Sequence, residues 1–369
     1  MTAHTAPHAV QTPAGHPRVK TPRVGVLLIN LGTPEGTDYW SMRRYLKEFL
    51  SDPRVIEVPK AVWWPILNGI ILTFRPSKSG HAYQTIWNRE QDESPLKTIT
   101  RAQAQGVAAA MADRYGADVV VDWAMRYGQP AIGPAIQHLK DQGCERILLF
   151  PLYPQYSATT TATANDQAFR QLMKMRWQPA VRTVPGYHDD PAYIEALARS
   201  VKRHVDGLDW QPDMVLASFH GLPKMYLDRG DPYHCYCVKT ARLLREALGM
   251  PETKLRHSFQ SRFGKAEWLK PYTDKTVAEL AKGGVKNLAV IAPGFAADCV
   301  ETLEEVQGEI RDAFMAAGGE RFTYIPCLNA EADHIRFLTD VVVRELGGWL
   351  PAAAAGTATG TAARDGMAA

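Results

Sequence analysis

The sequence predicts a parallel α/β fold made of two doubly wound lobes. Along the 369 residues, short runs rich in Val, Ile, Leu and Phe alternate with longer amphipathic patterns of helical period. Continuous apolar runs are typical of strands buried on both faces of a parallel sheet, and such strands are connected by helices. Eight strands over about 300 residues fit two lobes of four strands each. A closed barrel of eight strands is the alternative architecture.

Each element follows from its own pattern along the chain. The predicted strands are 24–30, 118–124, 146–152, 181–184, 214–219, 256–260, 288–291 and 322–325, and the helices between them include 98–115, 132–142, 191–205 and 240–247. We expect an amino-terminal lobe over 23–180, a carboxy-terminal lobe over 181–325, and a helix over 326–350 that packs back on the body. The ends, 1–22 and 351–369, offer little apolar surface to bury, and we expect both to be disordered tails.

The charge distribution argues against nucleic acid as a partner. The formal net charge is +3, but the first 23 residues carry three bases and no acid, and residues 351–369 carry one of each. Residues 24–350 therefore have no net charge. A nucleic-acid-binding protein carries its basic excess on the folded domain, and this chain does not.

The most apolar segment, residues 61–74 (AVWWPILNGIILTF), is too short to span a bilayer and is interrupted by Pro65 and Gly69. It is either a buried helix or an exposed lip that rests on a membrane surface. The amino-terminal residues show no apolar core of a secretory signal, and five scattered cysteines do not indicate a disulfide scaffold. We expect a cytoplasmic protein, with peripheral contact at the inner face of the membrane as a further hypothesis.

The segments that follow the predicted strands hold the polar and aromatic residues of a candidate binding site. In open parallel sheets, ligands bind at the carboxyl ends of the strands. These segments read LGTP, MRY, YPQYS, HGLP and PGF in chain order. No G-x-G-x-x-G follows the first strand, and neither G-x-x-x-x-G-K-[ST] nor G-x-S-x-G occurs. The sequence therefore argues against nucleotide-dependent enzymes and serine hydrolases.

A histidine and an acidic segment carry the strongest chemical signals. His220 ends an apolar strand and is followed by glycine, so it is either a structural residue, or a base or metal ligand near neutral pH. Residues 298–312 (DCVETLEEVQGEIRD) contain six acids and one base. Glu301, Glu305 and Glu309 are four residues apart and share one face of the predicted helix. The segment is either a solvated helix face or a path for a divalent cation.

Five motifs in order along the chain resemble the ferrochelatases, the family that inserts ferrous iron into protoporphyrin. They are INLGTPEG at 29–36, PLYPQYSATTT at 151–161, SFHGLPKMYLDRGDPYHCYC at 218–237, FQSRFGKAEWLKPYTD at 259–274 and APGFAADCVETLEE at 292–305. The resemblance implies two Rossmann-like, chelatase-type lobes, each with a four-stranded parallel sheet flanked by helices. It also implies a lyase of haem biosynthesis that releases two protons as the metal enters the ring.

The resemblance assigns roles to residues by their positions in these motifs. His220 and Glu301 match the family's catalytic histidine and glutamate. They are also expected to hold the metal, together with the acids Asp298, Glu305 and Glu309. The porphyrin-contacting positions of the family match Leu31, Tyr83, Arg126, Pro223, Trp268 and Phe295. We add Tyr153 because it follows a strand, and we consider Ser94 and Arg126 as partners for the porphyrin propionates.

The implied substrates are protoporphyrin IX and Fe²⁺, so iron is a substrate and no cofactor is expected. Some relatives carry an iron–sulfur cluster on a carboxy-terminal extension, but no cysteine follows Cys327 here, and we do not expect one. Many relatives have a histidine where this chain has Cys299, which is either a small buried filler or a soft thiol near the metal path. The alternatives are a chelatase for coproporphyrin or another divalent metal, and a non-catalytic porphyrin- or haem-binding protein.

Overall fold

The computed structural model describes Gly15 and residues 22–264 and 266–350. The predicted disordered tails, apart from Gly15 and Pro22, lie outside the described residues. Within the described part of the chain, eight strands form two separate four-stranded sheets in which every pair is parallel. This confirms the predicted α/β class with two sheets and excludes the closed barrel.

The two sheets have the same strand order. The first is β2-β1-β3-β4, with β1 Arg23–Gly32, β2 Val119–Tyr127, β3 Cys144–Pro151 and β4 Ala180–Thr183. The second is β6-β5-β7-β8, with β5 Met214–His220, β6 Leu255–Gln260, β7 Asn287–Ile291 and β8 Arg321–Ile325. Each predicted strand is present, and its ends differ by at most three residues from the prediction. In each sheet the order of the strands reverses beside the central strand, which is where open α/β sheets bind ligands.

Helices cover both faces of each sheet. In the first half they are α1 Tyr39–Leu50, α2 Lys60–Ile66, α3 Leu72–Ile86, α4 Pro95–Tyr115, α5 Ile132–Asp141 and α6 Thr163–Leu172. In the second half they are α7 Pro191–Asp206, α8 Lys224–Asp228, α9 Tyr233–Ala247, α10 Thr273–Lys282, α11 Arg311–Ala316 and α12 Ala332–Glu345. Three π-helical segments precede α3, α6 and α11, at Leu67–Ile71, Ala158–Ala162 and Glu301–Ile310.

One apolar core is shared between the two sheets. On β1, the alternate residues Val24, Val26 and Leu28 face this shared core, whereas Leu27 and Ile29 face a second core under α5 and α6. The shared core also takes residues of β5 and of α4, α7, α9 and α12, while the outer face of the second sheet packs on α10, α11 and the π-helix before α11. The two halves are therefore held together by continuous apolar packing.

Two further observations concern the predicted boundaries. The boundary predicted between residues 180 and 181 falls within β4, which is paired with β3, so the first sheet extends to Thr183. Helix α12 packs against α4 of the first half and α7 of the second.

No helix in the described ranges combines the length and apolarity that crossing a membrane requires.

Candidate active site

His220 is the last residue of β5, the central strand of the second sheet. Its Nδ1 lies 2.6 Å from the carbonyl oxygen of Gly221, and because a carbonyl oxygen only accepts, Nδ1 carries the proton in the neutral ring. The other ring nitrogen, Nε2, is then an unprotonated acceptor. Tyr233 donates from its hydroxyl to the His220 carbonyl oxygen at 3.0 Å, which fixes the end of the strand. This half-buried histidine is thus oriented to accept a proton or bind a cation through Nε2.

The backbone after His220 has no room for a larger residue. A Cβ atom on Gly221 would lie 2.6 Å from the carbonyl oxygen of Gln260 and 3.2 Å from the ring of Trp268. Gly221 also donates its backbone N–H to that carbonyl oxygen at 2.8 Å. Glycine is therefore required by close packing at this position, and it brings Trp268 against the histidine loop.

The acidic segment forms a π-helix, Glu301–Ile310, where the sequence predicted an α-helix. Glu301, Glu304 and Glu305 are half-buried and Glu309 is exposed, so the acids extend from the interior to the surface. The i, i+4 spacing of the acids does not distinguish an α-helix from the wider π-helix. A π-helix is rare, and such segments occur frequently at functional sites.

Glu305 connects the acidic helix with His220. Its carboxylate accepts from the backbone N–H of Ser261 at 2.7 Å and from the Ser261 hydroxyl. Burial raises the pKa of Glu305, with a further contribution from Glu301, while the Ser261 hydrogen bonds and the charge of His220 act in the opposite direction. Glu305 therefore lies close enough to His220 and Glu301 for their charges to affect its pKa, and Gln260, which pairs in register with His220, donates its side-chain amide to the Glu301 carbonyl oxygen at 2.7 Å.

Ser261, the residue that holds Glu305, was not identified from the sequence. It follows β6 with φ of 64°, which is uncommon for a residue other than glycine. This conformation aims both its backbone N–H and its hydroxyl at one carboxylate. Residues in sparsely populated backbone conformations cluster at functional sites, and only the structure shows this one.

The first half of the chain contributes the opposite wall. Tyr45 on α1 and Tyr83 and Arg75 on α3 all interact electrostatically with Glu301. Burial raises the pKa of Tyr83, and Glu301 raises it further. Arg75 stacks with its guanidinium carbon 5.1 Å from the centre of the Phe263 ring, and burial lowers its pKa. The site thus lies between the two halves.

Arg75 is a candidate binding residue that the sequence interpretation missed. Among the described residues, no carboxylate lies within 4.0 Å of its guanidinium. A half-buried cation without a paired anion beside a cleft is suited to receive an acidic group of a ligand. Its position directly after the apolar segment 61–74 is the only signal in the sequence that could have pointed to it.

The predicted apolar contacts lie on both sides of the site. Leu31 of β1 and Phe295, which follows β7, pack against a common buried cluster formed by Leu96, Met125, Ala297 and Cys299. Pro223 and Trp268 form an isolated antiparallel bridge. Tyr153 is buried near Tyr127 and Tyr45. Within the described ranges, the Trp268 indole nitrogen and the Tyr153 hydroxyl are buried without hydrogen-bond partners.

Arg126 does not occupy the setting predicted for it. Its side chain is 6% exposed and pairs with the buried carboxylate of Asp52. Its Nε donates to the Thr163 hydroxyl at 2.7 Å, and its guanidinium lies 4.2 Å from the centre of the Tyr127 ring. Because the Arg126 guanidinium is already paired with a buried carboxylate, its contact with a propionate stays a prediction, and we prefer an unpaired cation for that role.

Ser94 and Asp298 also have structural partners. The Ser94 oxygen accepts from the backbone N–H of Lys97 and caps α4, which leaves its hydroxyl proton available to donate. Its contact with a propionate stays a prediction. Asp298 is buried, and its carboxylate accepts from four donors of neighbouring residues. Asp298 is thus held by the protein itself, apart from the row of acids on the π-helix, and its role as a metal ligand stays a prediction.

Comparisons with known proteins identify the family of this chain. A family model described as ferrochelatase matches residues 23–346. The ferrochelatase of Agrobacterium fabrum is 62% identical over 92% of this chain and 98% of its own length, and that of Allorhizobium ampelinum has the same identity and coverage. Among solved structures, SirB from Bacillus subtilis with Fe³⁺ superposes with a TM-score of 0.54 at 14% identity, over 88% of this chain and 96% of its own, which supports the fold. The chain therefore belongs to the ferrochelatase family and is a metal chelatase.

Proposed function

We propose that the protein inserts Fe²⁺ into protoporphyrin IX, with release of two protons, in the cleft between His220 and the residues of α1 and α3. The observation that carries this proposal is the group formed by His220, Glu301 and Glu305 beside an apolar wall. A flat, largely apolar ring fits such walls, and its pyrrole protons require acceptors at its centre. Iron is a substrate in this reaction, and oxygen and imidazole ligands suit it.

His220 is proposed as the acceptor of a pyrrole proton. Its Nδ1–H is held by the Gly221 carbonyl oxygen, so Nε2 is the ring nitrogen left to accept that proton. Glu301, on the other element that borders the site, is proposed to act with His220 on the metal and the second proton. Binding energy from the apolar walls would bend the porphyrin and expose its nitrogen lone pairs.

Glu305 and Glu309 are proposed to guide the cation from solvent to the ring. Glu309 is exposed and Glu305 is half-buried, so a cation passing along the helix would lose water in steps. Glu304, whose pKa is raised by burial and then by Glu309, belongs to the same row and was not among the predicted ligands. A raised carboxyl pKa also allows Glu305 to carry a proton away from the site.

Arg75 is proposed to bind a propionate of the porphyrin, in place of Arg126. The propionates carry negative charge, and Arg75 is the half-buried cation of the cleft that has no carboxylate within 4.0 Å among the described residues. A guanidinium can bind a carboxylate through two parallel hydrogen bonds. We expect Leu31, Tyr83, Tyr153, Pro223, Trp268 and Phe295 to contact the ring.

An anaerobic insertion assay tests the proposed function. Purified protein is mixed with Fe²⁺ and protoporphyrin IX, and the loss of porphyrin fluorescence is followed against a blank without protein. We expect acceleration over the blank, and a higher kcat/KM for protoporphyrin IX than for coproporphyrin in a parallel reaction. Tight porphyrin binding without acceleration would favour the binding-protein alternative, and faster turnover of coproporphyrin would reassign the substrate.

A peripheral contact with a membrane is proposed from the lip formed by residues 61–74. Leu67 and Leu72 in this segment are buried, but the side chains of Trp64 and Phe74 are 66% and 73% exposed. Val62 and Ile70 are also exposed, so the lip presents aromatic and aliphatic groups to solvent. Exposed aromatic residues are typical of segments that rest at the bilayer interface.

Sedimentation with liposomes tests this contact. We expect the wild-type protein to sediment with vesicles, and a Trp64→Ser, Phe74→Ser variant to remain in the supernatant with an unchanged melting temperature. As a control, Met173→Ser alters an exposed apolar residue after α6, away from the lip. Equal sedimentation of all three proteins would exclude the lip as the point of contact.

A further inference from the structure

A group of polar side chains, buried except for one half-buried member, surrounds the start of the π-helix and has no part in the mechanism described above. We call it the Asp298 cluster, and it consists of Asp298, Thr302, Tyr324 and Asn329. Oδ1 of Asp298 accepts from the Tyr324 hydroxyl at 2.6 Å, from the Thr302 hydroxyl at 3.0 Å and from the backbone N–H of Cys327 at 3.3 Å. Oδ2 accepts from the side-chain amide of Asn329 at 2.7 Å. The carboxylate thus accepts four hydrogen bonds from the protein, three at Oδ1 and one at Oδ2.

Asn329 pairs with Asp298 at two points. Besides donating to the carboxylate, its amide oxygen accepts from the backbone N–H of Asp298 at 2.8 Å. Asn329 has φ of 46°, a left-handed conformation that asparagine tolerates better than most residues. The pair therefore links the loop after β8 to the loop after β7 through complementary donors and acceptors.

The cluster is also connected to the first half of the protein. Gln103 of α4 is fully buried and donates from Nε2 to the Asn329 carbonyl oxygen at 3.0 Å and to the Ala296 carbonyl oxygen at 2.8 Å. Ala296 follows Phe295, a predicted porphyrin contact. One amide group thus holds both loops of the second half against a helix of the first half.

We propose that Asp298 and Asn329 are positioning residues, which set the direction of the Glu301 carboxylate by fixing the backbone where the π-helix begins. Glu301 lies three residues after Asp298, and its neighbour Thr302 is bonded to the Asp298 carboxylate. The inference rests on the proposed role of Glu301. It differs from the metal-ligand role that the family resemblance implied for Asp298, because that carboxylate already accepts four hydrogen bonds from the protein.

An exchange of the two side chains tests the inference. Asn329→Asp alone places two carboxylates in contact, and Asp298→Asn alone places two amides in contact. The double variant Asp298→Asn, Asn329→Asp restores every hydrogen bond of the pair, because the amide at 298 donates to the carboxylate at 329 and its oxygen still accepts from Tyr324. The negative charge, however, has moved from 298 to 329.

The readouts are kcat, the KM for protoporphyrin IX and the melting temperature of the full-length protein. We expect Asn329→Asp to lower kcat by about tenfold or more, since small displacements of reacting groups are costly, and to change the porphyrin KM by less than about twofold. We expect the double variant to recover kcat to within about threefold of the wild type. As a control, Thr339→Val removes a buried hydroxyl of α12 and should leave kcat unchanged even if it lowers the melting temperature.

Three results would overturn the inference. One is a folded double variant with a kcat as low as that of Asp298→Asn, which would show that the charge is needed at residue 298 itself. Another is full activity of Asn329→Asp. If Asn329→Asp does not fold, Asn329→Gly keeps the left-handed backbone without the amide, and an unchanged kcat in this folded variant would be the third. Glu301→Gln is measured in parallel. Full activity of this variant would refute the proposed role of Glu301. If it is inactive, the role of Glu301 stands, and the exchange of residues 298 and 329 then tests only whether these two residues position it.

Discussion

At the scale of single residues, the tautomer of His220 is the feature on which the proposed chemistry depends. The Gly221 carbonyl oxygen occupies Nδ1 and leaves Nε2 as the acceptor. A general base accelerates a reaction only if it lies within hydrogen-bond distance of the proton and is itself unprotonated at the accepting atom. Burial raises the pKa of the nearby Glu305, and the charge of His220 acts against that shift.

Replacing His220 by alanine should remove turnover and preserve porphyrin binding. Loss of a general base typically lowers the rate by 10² to 10⁴, and we expect an effect of about that size on kcat. Fluorescence titration with protoporphyrin IX measures binding separately. His138→Ala, on the exposed side of α5, is the matched control and should behave as the wild type. Substantial turnover by the His220 variant would contradict its proposed role.

Replacing Glu305 by glutamine should alter the response to iron more than the response to porphyrin. The change keeps an oxygen that accepts from Ser261 and removes the charge that we propose attracts the cation. We expect the KM for Fe²⁺ to rise by about tenfold and the KM for protoporphyrin IX to stay within about twofold. Gln307→Glu, on the exposed side of the same π-helix, controls for a general effect of helix charge. If the KM for Fe²⁺ is unchanged, the acids of the π-helix would instead be a solvated helix face without a role in cation binding.

At the scale of secondary-structure elements, α12 contains a buried histidine, and we expect protonation of this histidine to destabilise the folded protein. His334 is fully buried, donates from Nδ1 to the Asn329 carbonyl oxygen at 2.6 Å, and stacks on Phe337. Burial lowers the pKa of His334 to about 4, from an ordinary value of about 6.5. The neutral ring is therefore the form that the folded protein accommodates.

We expect stability to fall as the pH decreases from about 6.5 towards 4, since the unfolded chain binds a proton there that the folded chain excludes. The lowered pKa corresponds to about 3 kcal/mol of unfolding free energy, present above pH 6.5 and lost near pH 4. His334→Gln retains a donor for Asn329 and removes the titration. Urea unfolding at pH 7.5, 6 and 5 should show a flatter pH dependence for this variant. Parallel curves for the two proteins would show that other groups cause the effect.

At the scale of the whole molecule, we expect the shared core to make the two sheets one folding unit. Residues on the inner faces of β1 and β5 belong to one continuous apolar core, and α12 packs on helices of both halves. The active site lies between the halves, so its geometry depends on this packing. The shared core therefore serves both stability and the alignment of Glu301 with Arg75 and Tyr83.

Leu28→Ala should destabilise both halves together. Leu28 is fully buried in the shared core, and deleting such a side chain costs about 2 to 5 kcal/mol of unfolding free energy. Hydrogen exchange of the β1 and β5 amides should accelerate in parallel, with a single thermal transition. Leu139→Ala, in the outer core of the first half, is the comparison. Faster exchange confined to β1 in Leu28→Ala would show that the halves unfold independently.

The sequence by itself determined the α/β class, the eight strands and the chemical character of the site. The fold class and the strands depend on local periodicity. The chemical character of the site depends on short motifs, such as His220 with the glycine after it and the row of acids from Glu301 to Glu309, which are made of residues close together in the chain. The π-helix was not predicted, because acids four residues apart share a face in both helix types.

The tertiary structure alone decided which charged side chains have no partner of opposite charge. Arg126 and Asp52 are 74 residues apart, and only folding pairs them, while it leaves Arg75 without a carboxylate partner among the described residues. Asp298 is likewise bonded to residues up to 31 positions away, so most of its hydrogen-bond partners could not be seen in the motif that contains it.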